Sequence, residues 1–150
     1  MATFSADTST FDHTEFSTYS STMINKKNVT MVVKDSATAI QYTASEIMSG
    51  GIFRTGNSSE VQDSLPSASE IRTEMAARSG IAANSLPVST SFDFTIYNNG
   101  GDSINLVNST GLTIYGRTIV TSGRSTKIRV VLSNNFGLVR CEAYVLYGNR

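Results

Sequence analysis

Apolar and polar residues alternate with a period of two through most of the chain after residue 90, which indicates extended strands. Six short runs follow one another in about sixty residues, and each is bounded by Gly, Asn or Ser, the residues of turns. The alternation is clearest in SFDFTIYN, where one face carries Phe92, Phe94 and Ile96 and the other carries Asp93, Thr95 and Tyr97.

Two earlier segments, residues 28–35 (NVTMVVKD) and 51–56 (GIFRTG), also have the composition of strands. Together with the six later runs they predict a mainly β fold of about eight strands. This count and spacing are typical of an antiparallel β-sandwich, here a single jelly roll over residues 28–150. Residues 1–27 show no sustained period and are predicted to form an extended N-terminal arm.

A near-repeat marks the two predicted helix starts. TASEIM begins at Thr43 and SASEIR at Ser67, and in both a Glu follows the hydroxyl residue by three positions, as in a capping box. Glycines 50 and 51 limit the first copy to a single turn. The second copy continues as one short helix over about residues 67–79. Its predicted buried stripe consists of Ala68, Ile71 and Met75, and its predicted left-handed cap is Gly80.

Charge is sparse and unevenly distributed. Charged residues make up 16% of the chain, against about a quarter in typical domains, which favours a β-rich surface over a helical bundle. Residues 1–25 contain acidic residues but no Lys or Arg, whereas residues 103–150 contain six Lys or Arg residues and a single acid, Glu142. The basic segment is open to three interpretations: phosphate binding, contact with the acidic arm of a neighbouring copy, or solvated strand faces. The arm's acids are Asp7, Asp12 and Glu15, its aromatic residues are Phe4, Phe11, Phe16 and Tyr19, and the basic residues are Arg117, Arg124, Lys127, Arg129, Arg140 and Arg150.

The location of the protein is constrained by three simple features. Cys141 is the only cysteine, so no internal disulfide forms. The first residues lack the basic start and apolar centre of a signal peptide, and no apolar run approaches the roughly 20 residues that cross a bilayer. We therefore expect a protein that is made in the cytoplasm and is not secreted. Three glycosylation sequons, at Asn28, Asn57 and Asn108, are expected to be chance matches.

Candidate chemistry is weak throughout. His13 lies in the arm rather than in a rigid pocket, and Cys141 lies within the last predicted strand, where a buried residue is expected. The acids Glu60, Asp63, Glu70 and Glu74 cluster in sequence but are explained by a solvated helix start. Nucleic-acid binding would use Arg124, Lys127 and Arg129, with Tyr115, Tyr144 or Tyr147 as stacking partners. We do not expect it, because any antiparallel strand places such residues together on its solvent face. The sequence therefore predicts no catalytic, cofactor-binding or metal-binding residue.

A longer pattern resembles a module of structural proteins of large algal and amoebal DNA viruses. It runs from about residue 50 to residue 147 and combines a Gly-Gly strand ending in Arg, the helix start DSLPSASEI, and a Phe-x-Phe-x-Ile strand followed by short strands. The matching positions are Gly50, Gly51, Arg54, Asp63, Leu65, Pro66, Ala68, Ile71, Phe92, Phe94, Ile96 and Asn98.

The resemblance implies a non-enzymatic capsid protein of an icosahedral virion, either a penton at the fivefold vertex or another minor capsid protein. Its expected partners are copies of itself, possibly as a pentamer, and other capsid proteins. A carbohydrate- or receptor-binding module of a fibre or spike is the alternative, using Tyr19, Tyr97, Tyr115 and Tyr147 to stack on sugars. A glycan-cleaving enzyme is a third hypothesis and needs opposed carboxylates among Glu60, Asp63 and Glu142.

Overall fold

The computed structural model describes residues 30–148 and contains nine strands in these residues, arranged in two sheets. The predicted mainly β fold is therefore confirmed, with one strand more than the sequence indicated. In chain order the strands are β1 (Thr30–Asp35), β2 (Gly50–Thr55), β3 (Val61–Ser64), β4 (Ser91–Asn98), β5 (Ile104–Val107), β6 (Leu112–Tyr115), β7 (Ile119–Val120), β8 (Arg124–Asn134) and β9 (Arg140–Gly148).

The helical segments are α1 (Ala44–Ile47), α2 (Ala68–Ser79) and a short 3-10 turn (Ala83–Ser85). Both predicted capping boxes are present. The hydroxyls of Thr43 and Ser67 each accept a hydrogen bond from the backbone N–H of the Glu three residues later, and the carboxylate of that Glu accepts one from the backbone N–H of the cap residue. The longer helix ends at Gly80, whose φ of 73° is left-handed as predicted. The repeat thus starts two helices of different length.

The capping box of α2 makes the stability depend on pH in a predictable direction. Hydrogen bonds from the Ser67 hydroxyl (2.6 Å) and backbone N–H (3.1 Å) lower the pKa of Glu70. Because the folded pKa lies below the unfolded value of about 4.3, this stabilisation is complete above pH about 4.3 and is lost as the pH falls through the folded pKa. Glu70→Gln should therefore be less stable than the wild type at pH 7, and the gap should narrow by pH 3.

Urea unfolding at the two pH values measures this gap. Ser67→Ala should cost about 1 kcal/mol at pH 7, the typical value of a cap, and should likewise cost less at pH 3. A gap that is equal at both pH values for both variants would contradict the assignment.

The sheets are mixed, so the prediction of an antiparallel sandwich is wrong in this respect. The six-stranded sheet has the order β1-β2-β4-β8-β9-β6 and the three-stranded sheet the order β3-β5-β7. Among strands β2 to β9, three pairings are parallel, namely β2 with β4, β3 with β5 and β6 with β9. In the same strands, β8 pairs antiparallel with β4 and β9, and β5 pairs antiparallel with β7. The parallel partners are separated in sequence by whole elements, and parallel pairing requires such long connections.

The turn that follows β4, NNGG at residues 98–101, has the residues of a hairpin turn, but it carries the chain from one sheet to the other rather than joining two strands of one sheet. Asn98, at the end of β4, is fully buried and fixes this passage. Its side-chain amide donates to the carbonyls of Asp102 and Val120, both at 2.8 Å, and its Oδ1 accepts from the N–H of Gly100 at 3.0 Å.

One hydrophobic core receives side chains from both sheets and both helices. The predicted stripe of α2, Ala68, Ile71 and Met75, is buried in it. In the six-stranded sheet, alternate residues of β4, of β8 from Thr126 to Leu132 and of β9 from Cys141 to Val145 point into this core, and a register shift after Val145 ends the alternation of β9. The alternate residues of the same strands form the opposite, outer face of the sheet. The most deeply buried apolar residues are Ile47, Ile52, Leu65, Ile71, Ile96, Ile104, Val120, Ile128, Val130, Leu132 and Ala143.

Candidate interaction surface

The outer face of the six-stranded sheet presents its side chains in rows that follow the strand register. One row contains Asp93, Arg129, Tyr144 and Tyr115, each opposite the next across β4, β8, β9 and β6. A second row aligns Thr95, Lys127 and Tyr147. The alternation predicted for β4 and β8 is confirmed, because the residues predicted to face outward are less buried than those that face the core. The outer face is therefore a continuous surface of aromatic and charged groups.

Two aromatic stacks lie on this face. The Tyr115 and Tyr144 rings have centroids 5.4 Å apart and an interplanar angle of 19°. Phe53 and Tyr97, paired across β2 and β4, stack at 5.3 Å and 13°. Stacked rings at these distances attract each other beyond the area that they bury. The first stack is the more exposed, with 48% of Tyr115 and 39% of Tyr144 accessible to solvent.

Charges between the stacks are organised around Asp93. Its carboxylate accepts two hydrogen bonds from the guanidinium of Arg129, at 2.7 and 3.0 Å, and lies 3.5 Å from Nζ of Lys127. The hydrogen bond from Arg129, aided by the two positive charges, holds the pKa of Asp93 below its ordinary value. The bidentate geometry fixes the guanidinium plane on the sheet. The middle of the face is thus ordered before any partner arrives.

Tyr144 is also fixed through its hydroxyl, which donates to Glu142 two residues earlier on β9. This hydrogen bond raises the pKa of the Tyr144 phenol. Three further apolar groups extend the exposed surface at the margins, Leu146 and Tyr147 on β9 and Val33 on β1. The face therefore combines rigid aromatic rings with an ion-paired centre, and Tyr and Arg are both enriched in protein contact surfaces.

The most strongly bound charged groups of the described residues lie inside the protein. Arg54 and Asp63 are fully buried and form an ion pair, with Nε of Arg54 2.8 Å from Oδ2 of Asp63. The remaining guanidinium hydrogens reach the carbonyls of Ser36 and Thr55 (both 2.6 Å) and Thr38 (2.8 Å), and Nη2 reaches the second carboxylate oxygen at 3.4 Å. All five donors of the guanidinium are therefore satisfied.

Asp63 is satisfied equally well. Its two oxygens also accept the N–H of Ile40 at 3.0 Å and the hydroxyl of Tyr42 at 2.7 Å. Burial, together with the charge of Asp63, raises the pKa of Tyr42, so its hydroxyl stays protonated and donates. The network ties the segment after β1 to β2 and β3. It is a structural clamp, and Asp63 does not belong to the solvated helix start in which the sequence placed it.

The residues that carry the viral resemblance serve mainly to build the fold. Ten of the twelve are buried, and only Gly50 and Phe92 are partly exposed. They include both partners of the buried ion pair and Asn98. The motif is therefore a signature of the fold and not of a reactive site.

The other sequence candidates do not converge on one place. His13, the arm's acids and aromatic residues, Asn28 and Arg150 lie outside the described residues. Cys141 is buried on β9, and burial raises the pKa of its thiol to about 12. Glu60 is exposed before β3, and Glu74 pairs with Arg78 on α2 at 2.7 Å. Asn57 is buried, so its sequon does not present the side chain to solvent.

A surface groove of about 330 Å³ lies between α1 and α2. Its two carboxylates, Glu70 and Glu74, are one turn apart on a single helix, whereas glycoside cleavage needs carboxylates that face each other. Both are engaged, by Ser67 and by Arg78. The remaining lining consists of Thr43, Ala44, Ser45, Ser69 and Thr73.

Within residues 30–148, no group of three or more His, Cys, Asp and Glu side chains is placed to hold a metal ion. No helix in the same part of the chain is long and apolar enough to span a membrane. Comparisons with protein-family models, with curated proteins and with solved structures found no match to this chain.

Proposed function

We propose that this protein is a non-enzymatic structural protein of the icosahedral capsid of a large DNA virus. It acts as a penton or another minor capsid protein and assembles with copies of itself and with other capsid proteins in the virion. The two sheets correspond, in this proposal, to the single jelly roll of the viral module, with three parallel pairings as departures from it.

The outer face of the six-stranded sheet is the observation that carries the proposal. It exposes the Tyr115–Tyr144 stack, with Leu146 and Tyr147 (43% and 41% accessible) on the same strand. Contiguous exposed apolar groups of this kind mark protein contact sites, and Tyr is enriched in them. A subunit that meets neighbours on several sides needs such faces.

A second exposed apolar feature supports the same interpretation. The loop between β8 and β9 presents Phe136 and Leu138, which are 90% and 71% accessible. The Asn134 side chain holds the loop by donating to the carbonyls of both residues, at 3.1 and 2.7 Å, and accepting from the N–H of Phe136. A rigidly presented apolar pair loses little entropy on docking, which favours contact with another protein.

Deletion of residues 1–25 tests the assembly role. Among residues 30–148, the buried core side chains lie between Tyr42 and Ala143, so we expect the truncated protein to fold. We expect it to remain monomeric where the full chain forms a closed oligomer, with association weakened at least tenfold because the contacts of residues 1–25 with a neighbouring copy are lost. Solution mass by light scattering, over a range of concentrations, measures this effect. Unchanged assembly after the deletion would contradict the role of the arm.

A carbohydrate- or receptor-binding module is the alternative, and the exposed Tyr115 and Tyr147 rings favour it. A glycan array distinguishes the two functions, since the capsid role predicts no specific glycan binding. Specific binding that is lost on Tyr147→Ala, together with a monomeric mass, would favour the alternative.

A further inference from the structure

We propose that the outer face of the six-stranded sheet is the docking surface for residues 1–25 of a neighbouring copy. The inference rests on the proposed function, which places copies side by side, and adds the surface that receives the arm. Three observations carry it: the point at which the arm joins the sheet, the aromatic character of the face, and the charges at the ends of its strands.

The arm joins the fold at an edge of this sheet. It leads directly into β1, the edge strand, whose exposed Met31 and Val33 are 52% and 63% accessible. A chain of 25 residues reaches up to about 80 Å when extended, whereas six strands are about 24 Å wide. The arm is therefore long enough to pass its own sheet and cover the face of a neighbour.

The aromatic residues of the arm match the surface that they would cover. Phe4, Phe11, Phe16 and Tyr19 occur in a segment otherwise rich in Ser and Thr. Isolated rings in a polar chain bury apolar area only against a surface that already carries rings or aliphatic groups. The Tyr115–Tyr144 stack provides such a surface, because its rings are about half accessible and are held in place.

The charges are also complementary. Asp93 and Glu142 balance Lys127 and Arg129 within the face, so its net charge resides at the strand ends. There Arg124, at the start of β8, and Arg140, at the start of β9, are exposed at opposite ends of the strand pair. Arg140 has the outward parity of Glu142, whereas Arg124 is in register with the buried Asn98 and is exposed because it lies at the end of its strand.

The spacing of the charges agrees with an arm that lies along these strands. Arg140 pairs with Asn134, ten residues from Arg124, so the two arginines are about 33 Å apart along the pair. The acids Asp7 and Glu15 are separated by eight residues, about 26 Å when extended. The two arginine side chains are long enough to span the difference of about 7 Å between these distances. With the charges paired in this way, Phe11 would lie over the middle of the face.

Photo-crosslinking of the full chain tests this placement. Thr113, exposed on the outer face beside Tyr115, is replaced by p-benzoylphenylalanine in one preparation, and this is mixed with an equal amount of isotope-labelled wild type. After irradiation, mass spectrometry identifies the attached peptide and its isotope. The matched control has the same photo-reactive group in place of Ile81, which is 41% accessible and follows α2, the helix that packs on the opposite, core side of the sheet.

We expect crosslinks from position 113 to peptides of residues 1–25, with a large share of mixed-isotope pairs. Crosslinks to the arm of the same copy alone would overturn docking between neighbours. No crosslink to the arm would overturn the surface itself. The oligomer mass, measured on the same sample, separates the two hypotheses: an oligomer without arm crosslinks leaves the proposed function standing and removes this inference.

A charge exchange provides a second test that does not depend on the photo-reactive group. Arg124→Glu with Arg140→Glu should reduce the crosslinked fraction about tenfold at low salt, and Asp7→Lys with Glu15→Lys in the partner preparation should restore it. Arg124→Lys with Arg140→Lys is the matched control and should retain at least half of the crosslinking. No restoration by the exchanged pair would contradict the charge pairing.

Discussion

Arg54→Met is expected to lower the free energy of unfolding by about 3–5 kcal/mol, the range observed when one partner of a buried ion pair is removed. The substitution leaves Asp63 buried and charged, without the two guanidinium hydrogen bonds at 2.8 and 3.4 Å. It also leaves the carbonyls of Ser36, Thr38 and Thr55 without the donors that they have in the wild type. A loss of this size is a large fraction of the 5–15 kcal/mol that stabilises typical domains.

Urea unfolding followed by circular dichroism measures the loss, and two further variants interpret it. Arg129→Met removes the same side chain from an exposed pair with Asp93 and should cost far less than Arg54→Met, because solvent screens the exposed pair. Arg54→Met combined with Asp63→Leu removes both buried charges and should recover part of the single loss. Equal effects of Arg54→Met and Arg129→Met would show that burial of the pair does not matter.

The sequence contains a signal of the buried Arg54–Asp63 pair, but the periodicity of apolar residues alone did not reveal it. Ile52 faces the core, so a period of two places Arg54 on the same inward face of β2. In VQDS, Val61 and Asp63 are both buried, but four residues are too few for the alternation to stand out, and β3 was missed. A charged residue at an inward position of each of two strands is the signal that predicts a buried pair.

Local features of the backbone were predicted well, because residues that are close in sequence determine them. The capping boxes, the left-handed Gly80 and the faces of β4 and β8 depend on residues within a few positions of each other. The order of strands in each sheet does not depend on such neighbours, because contacts between segments that are distant in sequence determine it. The sequence NNGG after β4 is typical of a hairpin turn. The buried Asn98 side chain instead donates a hydrogen bond to the carbonyl of Val120, and the chain continues into the second sheet.

The outer face could be predicted only in part, for the same reason. Alternation places Lys127 and Arg129 together on one face of β8. It does not place Tyr115 beside Tyr144, because β6 and β9 pair in parallel across an intervening stretch that contains two other strands. The surface that carries the proposed function thus arises from a pairing that no local pattern encodes.

Gly100→Ala is expected to cost about 2–4 kcal/mol, because the new methyl group would occupy the place of a buried amide. A Cβ at position 100 would lie 1.7 Å from Oδ1 of Asn57, whose side chain is buried and donates to the carbonyl of Asp102 at 2.7 Å. The Asn57 Oδ1 has no hydrogen-bond partner among the described residues and occupies the space that a Cβ at position 100 would take. Relief of the clash requires Asn57 to turn away, which adds overpacking to a lost buried hydrogen bond.

The adjacent glycine provides a matched control for this substitution. A Cβ at Gly101 would meet its nearest atom, the carbonyl oxygen of Asn57, at 3.4 Å, an ordinary contact, so Gly101→Ala should change stability by less than about 0.5 kcal/mol. Asn57→Ala removes the obstructing side chain, and Gly100→Ala should then add little to its cost. The coupling between the two positions, measured by a double-mutant cycle of urea unfolding, should therefore be at least about 1 kcal/mol. Additive losses would mean that the methyl group is accommodated elsewhere and that Asn57 does not require a glycine at this turn.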